Sequence, residues 1–169
     1  MRRIVACLFL VGGFVSVSAA PQATLSVSSP AFQNGGSIPA EFSCKGGNVS
    51  PPLRIANVPA NAKQLAIAVS DPDAPSGTFT HWLVWNINPK TTDISAKTVP
   101  AGAAQGTNDF GEVGYGGPCP PSGTHRYYFR VFALDTELQL QAGAKAREFE
   151  KSITDHVIAR GELMGRVSH

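Results

Sequence analysis

The run from His125 to Leu134 (HRYYFRVFAL) constrains the fold more than any other stretch of this chain. His125, Tyr127, Phe129, Val131 and Ala133 fall on one side of an extended backbone, and Arg126, Tyr128, Arg130, Phe132 and Leu134 fall on the other. Its aromatic and β-branched residues suit a pleated strand, and so long a strand needs hydrogen-bonded neighbours. Two such neighbours are readable. Gln64 to Ser70 (QLAIAVS) is a continuous apolar run bounded by turn formers, as in a strand covered on both faces. Thr80 to Ile87 (THWLVWNI) is aromatic and branched, and its two-residue period puts His81, Leu83, Trp85 and Ile87 on one face. Thr24 to Ser28 and Leu53 to Ala56 are weaker strand candidates. Clusters of Pro, Gly, Ser and Asn separate these runs, the rhythm of a mostly-β domain. Near the C-terminus the period changes: Ala146, Phe149, Ile153 and Val157 recur at helical spacing, predicting an amphipathic helix over 144–160 that stops at Gly161. Lys90 to Gly123 has no strand pattern and many glycines and prolines, which predicts a functional loop region between two strong strands.

The first nineteen residues read as a signal peptide rather than as part of this domain. Arg2 and Arg3 precede the apolar stretch Ile4 to Val15, and Val17-Ser18-Ala19 offers the small residues of a cleavage site at Ala19. The apolar stretch is short for a membrane anchor. The expectation is therefore an exported protein, periplasmic or secreted, with a single domain over 20–169 and no stable membrane insertion. Without Arg2 and Arg3 the 14 basic residues become 12, equal to the 12 acidic ones. A neutral domain has no overall field to draw it to nucleic acid or to an anionic membrane. Cys7 leaves with the leader, so Cys44 and Cys119 remain. Two cysteines in an exported chain suggest one disulfide, provided that their Cα atoms lie within bridging range. Neither has a partner at CxxC spacing.

Four segments carry the polar residues able to act. Asp71-Pro72-Asp73-Ala74-Pro75 ends the first buried strand; its prolines stiffen the backbone and present both carboxylates on a rigid turn, with a cis Ala74–Pro75 bond compatible with such a turn. An ordinary Asx/Pro turn has the same sequence. His81 and Trp82 head the second strand, while His125 heads the third with Tyr127 on its face. A lone strand histidine is commonly a satisfied structural residue; two at the heads of strong strands point to convergence. Gly114-Tyr115-Gly116-Gly117-Pro118-Cys119-Pro120-Pro121 is the fourth segment, read as a stiffened loop whose backbone N–H groups turn inward as an anion nest. It contains neither a phosphate-binding P-loop nor a dinucleotide fingerprint.

DPDAP at 71–75, HW at 81–82, YGGPCPP at 115–121 and HRY at 125–127, in this order and spacing, resemble the phosphatidylethanolamine-binding proteins, specifically their bacterial branch of Raf-kinase-inhibitor-like proteins. Cys44-Lys45-Gly46-Gly47-Asn48-Val49-Ser50-Pro51-Pro52-Leu53 and Asn108-Asp109 are similar to that branch as well, so that the resemblance spans essentially the whole mature chain. It implies a β-sandwich of mainly antiparallel strands with few helices. It also implies one pocket for a phosphate- or phosphoethanolamine-like anion, lined by Asp71, His81, Gly117, Pro118, His125 and Tyr127, with no catalytic residue, metal or cofactor. In that pocket a protonated histidine, loop N–H groups and the tyrosine hydroxyl would donate, and Asp71 would either hold a histidine as donor or accept from a ligand ammonium or protonated phosphate. The family also includes kinase and protease inhibitors, which leaves a protein target outside the cytoplasm as the alternative. A hydrolase using Asp71, Asp73, His81 and His125 is the third reading. No HExxH or GxSxG motif accompanies it.

Overall fold

In the computed structural model, which describes residues 23–169, the chain passes through β1 (Ala23–Thr24), β2 (Ser26–Ser28), β3 (Leu53–Ala56), β4 (Gln64–Asp71), β5 (Phe79–Ile87), β6 (Asp93–Ile94), β7 (Ala104–Gln105), β8 (Thr124–Leu134), α1 (Ala146–Ile153) and β9 (Val157–Ser168). The alternating run is the spine. β8 pairs antiparallel with β4 along one edge, from Gln64 opposite Leu134 to Ser70 opposite Tyr128. Along its other edge it pairs antiparallel with β9, from Thr124 opposite Ser168 to Leu134 opposite Val157. The large sheet has the order β1-β9-β8-β4-β5-β7, antiparallel throughout except for the parallel β1–β9 pair, and the small sheet is β2-β3-β6. The segment read as one weak strand divides at buried Leu25, with β1 joining the large sheet and β2 the small one.

The core lies between the sheets. Tyr127, Phe129, Val131 and Ala133 from β8 join Leu65, Ile67 and Val69 from β4 and Trp82 and Val84 from β5, opposite Leu53, Ile55 and Ile94 from the small sheet. On the far face of the large sheet, Ala66, Leu83, Trp85 and Leu134 are covered by Phe149 and Ile153 of α1 and by Leu138. β4 is thus buried on both sides, which is why its sequence is apolar without alternation. Each of these large side chains contributes roughly 1.5–3 kcal/mol by leaving water.

Two expectations are corrected. The predicted helix over 144–160 is helical only at Ala146–Ile153, and from Val157 the chain is strand, paired with β8 along its length. Ile153 and Val157, four apart, imitate a helical stripe, while Gly161 and Gly165 erase the alternation of the strand. Both glycines are steric necessities: a Cβ at Gly161 would sit 2.4 Å from the Leu25 carbonyl oxygen, and one at Gly165 would sit 2.4 Å from Ile38 Cγ1. The second correction concerns β5, where His81, Leu83, Trp85 and Ile87 do not share a face. Leu83 and Trp85 face α1, whereas Ile87 joins the inter-sheet core. Opposite β4, the register slips between Leu65 and Ile67 and again between Val69 and Ser70. Each slip is a bulge, an extra β5 residue that reverses the parity of the residues beyond it. Asn86 (φ 58) occupies the first; its N–H donates to Gln64 Oε1. Every peptide bond among the described residues is trans, Ala74–Pro75 included.

Candidate functional site

The second bulge sets the direction of the His81 side chain. Val69 faces Trp82 and Ser70 faces Thr80, so His81 is the residue without a counterpart in β4. Strict alternation would carry it under α1 with Leu83 and Trp85. The insertion turns it to the inter-sheet side, where its ring meets Tyr127 at 5.2 Å between centroids, edge to face. The ring is then pinned. Nδ1 lies 2.7 Å from the Gly116 carbonyl oxygen, and the Gly116 N–H donates back to the His81 carbonyl at 2.8 Å. A carbonyl only accepts, so His81 Nδ1 carries the hydrogen. Burial pushes the His81 pKa below its ordinary value, against the opposing pull of the Gly116 carbonyl and of the Asp71 and Asp109 carboxylates.

Asp71 and His125 reach the same place from β4 and β8. Asp71 Oδ2 accepts from His125 Nδ1 at 2.7 Å, and Oδ1 accepts the Asp73 N–H at 2.8 Å, closing the stiff turn on itself. Asp71, His81 and His125 are 3%, 2% and 8% exposed, and Tyr127 is fully buried. His125 and Tyr127, two residues apart on the inner face of β8, stack at 6.5 Å. The Tyr127 hydroxyl lies beside the Asp71 carboxylate and the Cys119 backbone, yet it has hydrogen-bond geometry to neither and no partner among the described residues. Burial foremost, then the Asp71 charge, raises its pKa, so that it remains a phenol with a proton to donate.

The second carboxylate of the turn does not belong here. Asp73 faces outward and takes Arg126 in a two-point pair, Nε to Oδ2 at 2.8 Å and Nη2 to Oδ1 at 2.6 Å, with the Arg126 N–H at 2.9 Å as a third bond. Arg126 holds the Asp73 pKa down to about 2. Asp73 thereby staples the turn to β8. Among the described residues, no three His, Cys, Asp or Glu side chains are grouped so as to hold a metal ion.

Gly117 and Pro118, expected as a wall with inward N–H groups, are buried beside this cluster but have no free N–H to offer it. The Gly116 N–H is committed to His81, the Gly117 N–H donates to Asn48 Oδ1 at 2.7 Å, and proline has none. The anticipated nest of N–H groups is therefore spent on the protein itself. The glycines serve close packing instead: a Cβ on Gly117 would fall 2.8 Å from both Asn48 Oδ1 and the Phe42 carbonyl oxygen, and one on Gly116 would fall 2.5 Å from Phe110 Cδ2. Cys44 and Cys119 are bridged, with Cα atoms 5.4 Å apart across 75 positions, and the Cys44 N–H donates to Pro118 O at 3.1 Å. Tyr115 completes the seam by donating its hydroxyl to Phe42 O at 2.9 Å.

Two further residues escape a residue-by-residue reading of the sequence. Phe79 and Phe110 close the outer side of His81, at 5.1 and 5.5 Å from its ring and 4.7 Å from each other. Phe110 is 49% exposed. Its position depends on Asn108 and Asp109. Buried Asn108 accepts the N–H groups of Phe110 and Glu112 at 3.0 and 3.1 Å, and Asp109 Oδ2 accepts the Thr80 N–H at 2.6 Å. An Asn-Asp pair ahead of Phe-Gly is a turn signal, and it is the available clue. The remaining histidines lie elsewhere: His156 pairs with Asp135 at 2.9 Å and His169 contacts Pro120 O at 3.1 Å.

Comparison with known proteins gives one consistent result. The sequence model of the family described as phosphatidylethanolamine-binding protein matches residues 28–168. A UPF0098 protein of Pyrococcus abyssi is 45% identical over 98% of this chain and 97% of its own length. One from Methanothermobacter thermautotrophicus is 46% identical over 80% of this chain and 93% of its own. Among solved structures, the phosphatidylethanolamine-binding protein homolog CT736 of Chlamydia trachomatis superposes with a TM-score of 0.82 at 38% identity, covering 86% of this chain and 98% of that one. YbcL of E. coli, described as a member of the mammalian PEBP family, gives 0.82 at 33% identity over 87% and 99%.

Proposed function

The chain belongs to the phosphatidylethanolamine-binding protein family, and from that premise we propose that it is an exported, non-enzymatic binding protein whose site holds a phosphate- or phosphoethanolamine-like anion. Asp71, His81, His125 and Tyr127 supply the polar contacts, and Gly117 and Pro118 the wall. The observation that carries this reading is the Tyr127 hydroxyl, fully buried between two histidines and unpartnered among the described residues. A buried hydroxyl left without a hydrogen bond costs about 1–3 kcal/mol, a cost that a bound oxyanion relieves. Two observations among the described residues support binding over turnover: Cys44 and Cys119 are tied in the disulfide, and Ser70, the serine of the β4 end, accepts from Arg130 at 3.0 Å on the other side of the sheet.

Export is supported by the bridge itself, since both cysteines are exposed and an exposed disulfide persists in an oxidising compartment. The leader and its cleavage site at Ala19 lie outside the described residues. No helix among the described residues is long and apolar enough to cross a membrane. The test is a ring-resolved NMR titration with inorganic phosphate and with phosphoethanolamine. Both are expected to shift the His81 and His125 ring signals, and saturating ligand that leaves both rings unmoved overturns the proposal.

A further inference from the structure

Donors normally surround a bound oxyanion, and here most of the candidates are already committed. The N–H groups of Gly116 and Gly117 serve His81 O and Asn48 Oδ1. Arg126, next to His125 in sequence, is held on the outer face by Asp73. His81 Nδ1–H is fixed on the Gly116 carbonyl and His125 Nδ1–H on Asp71, each at 2.7 Å. With Nδ1 protonated, a neutral His81 ring offers its remaining nitrogen, Nε2, as a lone pair. Burial biases it toward the neutral form. Asp71 from β4 and Asp109 from the loop after β7 favour the charged ring, the phenol of Tyr127 on β8 stands beside it, and burial outweighs the carboxylates. An oxyanion with no hydrogen of its own would set lone pairs against the His81 nitrogen and lie near the Asp71 carboxylate. An oxyanion bearing an acidic O–H donates it to His81 Nε2 and accepts from Tyr127.

Resting on the anion-binding reading, we propose that the site selects oxyanions that carry their own acidic proton, inorganic phosphate or a phosphomonoester with a P–OH group, over aprotic anions of the same shape such as sulfate or a phosphodiester. The shared chemistry is a terminal phosphate. A free phosphomonoester and the monoester end of a lipid both provide it; the diester of an intact phospholipid does not.

Isothermal titration calorimetry on the disulfide-bonded protein tests this without any variant, with inorganic phosphate, phosphoethanolamine, sulfate and dimethyl phosphate at matched ionic strength, at pH 5.5 and pH 7.5. Inorganic phosphate, which keeps a P–OH at both values, is expected to bind at both. Sulfate and dimethyl phosphate are expected to bind at least tenfold more weakly than phosphate at pH 7.5. Phosphoethanolamine loses its last phosphate proton near pH 6, taking a phosphomonoester's second pKa of about 6, so its affinity is expected to fall more than tenfold between the two values. Sulfate that matches phosphate at pH 7.5 overturns proton selection while leaving the anion reading in place. Sulfate that gains from acid in parallel with phosphoethanolamine puts the titrating proton on an imidazole and also overturns it. Binding by none of the four at either pH overturns the anion reading, and this inference with it.

Discussion

Replacing Tyr127 by phenylalanine separates what the site costs the fold from what it gives the ligand. The ring is fully buried and packs against His81 and His125, and phenylalanine fills the same volume without a new cavity. The hydroxyl that disappears has no partner among the described residues. A buried, unsatisfied hydroxyl costs about 1–3 kcal/mol relative to an apolar group of the same shape, so Tyr127→Phe is expected to stabilise the ligand-free protein by that amount. For a domain of this size each kcal/mol moves Tm by about 2–4 °C, which places the rise at about 2–12 °C in phosphate-free buffer. The same change removes the uncommitted phenolic donor of the site, so the additional rise that saturating phosphate gives the wild type should shrink or vanish. Differential scanning calorimetry with and without phosphate reads both quantities. A ligand-free Tyr127→Phe protein that melts several degrees below wild type would refute the reasoning, because it would mean that the hydroxyl already donates in the free protein, with Asp71 as the nearest acceptor.

Three other outcomes rest on the same geometry. Removing the disulfide as Cys44→Ser with Cys119→Ser opens a loop of 75 positions, which by chain entropy costs about 4 kcal/mol and lowers Tm by about 8–16 °C; a fall under about 3 °C, less than that entropy cost converts to, would count against this account. Gly117→Ala forces a Cβ to within 2.8 Å of the Phe42 carbonyl oxygen and Asn48 Oδ1, and urea unfolding is expected to show a loss of about 1–3 kcal/mol, as for other overpacking changes. His81, with its folded pKa below the ordinary 6.5, binds a proton more readily in the unfolded chain. Its contribution therefore makes stability rise with pH in the window just under 6.5, and fall on acidification through it. His81→Gln should flatten that slope in a series of urea melts between pH 5 and 7, and an unchanged slope would assign it to another group.

The sequence reveals the parts of this fold that depend on local pattern and hides the parts that depend on a neighbour. β8 and β4 are legible because one alternates cleanly and the other is apolar on both faces. β9 is not, because Gly161 and Gly165 give up side chains where Leu25 and Ile38 approach, and a pattern without side chains has no period. Tyr127 and His125 are placed by the parity of β8. His81 points correctly only because of a bulge, and that bulge is defined by the register of β4 against β5, so the same parity argument sends it to the wrong side. The glycine loop misleads for a related reason. A glycine allows close approach, but the composition of a loop does not say whether a ligand or the protein's own backbone does the approaching. Asn48, 69 positions from Gly117, takes the N–H that the nest reading reserves for an anion.

That commitment explains how so small a set of groups makes a defined site. The segment around 42–48 and the wall at 115–119 are joined by four links of different kinds: the disulfide, the Cys44 N–H to Pro118, the Gly117 N–H to Asn48 and the Tyr115 hydroxyl to Phe42. Gly116 carries this rigidity into the site, because the carbonyl that fixes the His81 ring belongs to the same wall. A site fixed before the ligand arrives loses little ordering entropy on binding. It also has little freedom to turn an acceptor into a donor by moving a side chain, since both Nδ1 atoms are held by oxygens that only accept. Adaptation to the ligand must then come through protons rather than through rotamers, which ties the stiffness of the wall to the proton that the ligand is expected to bring.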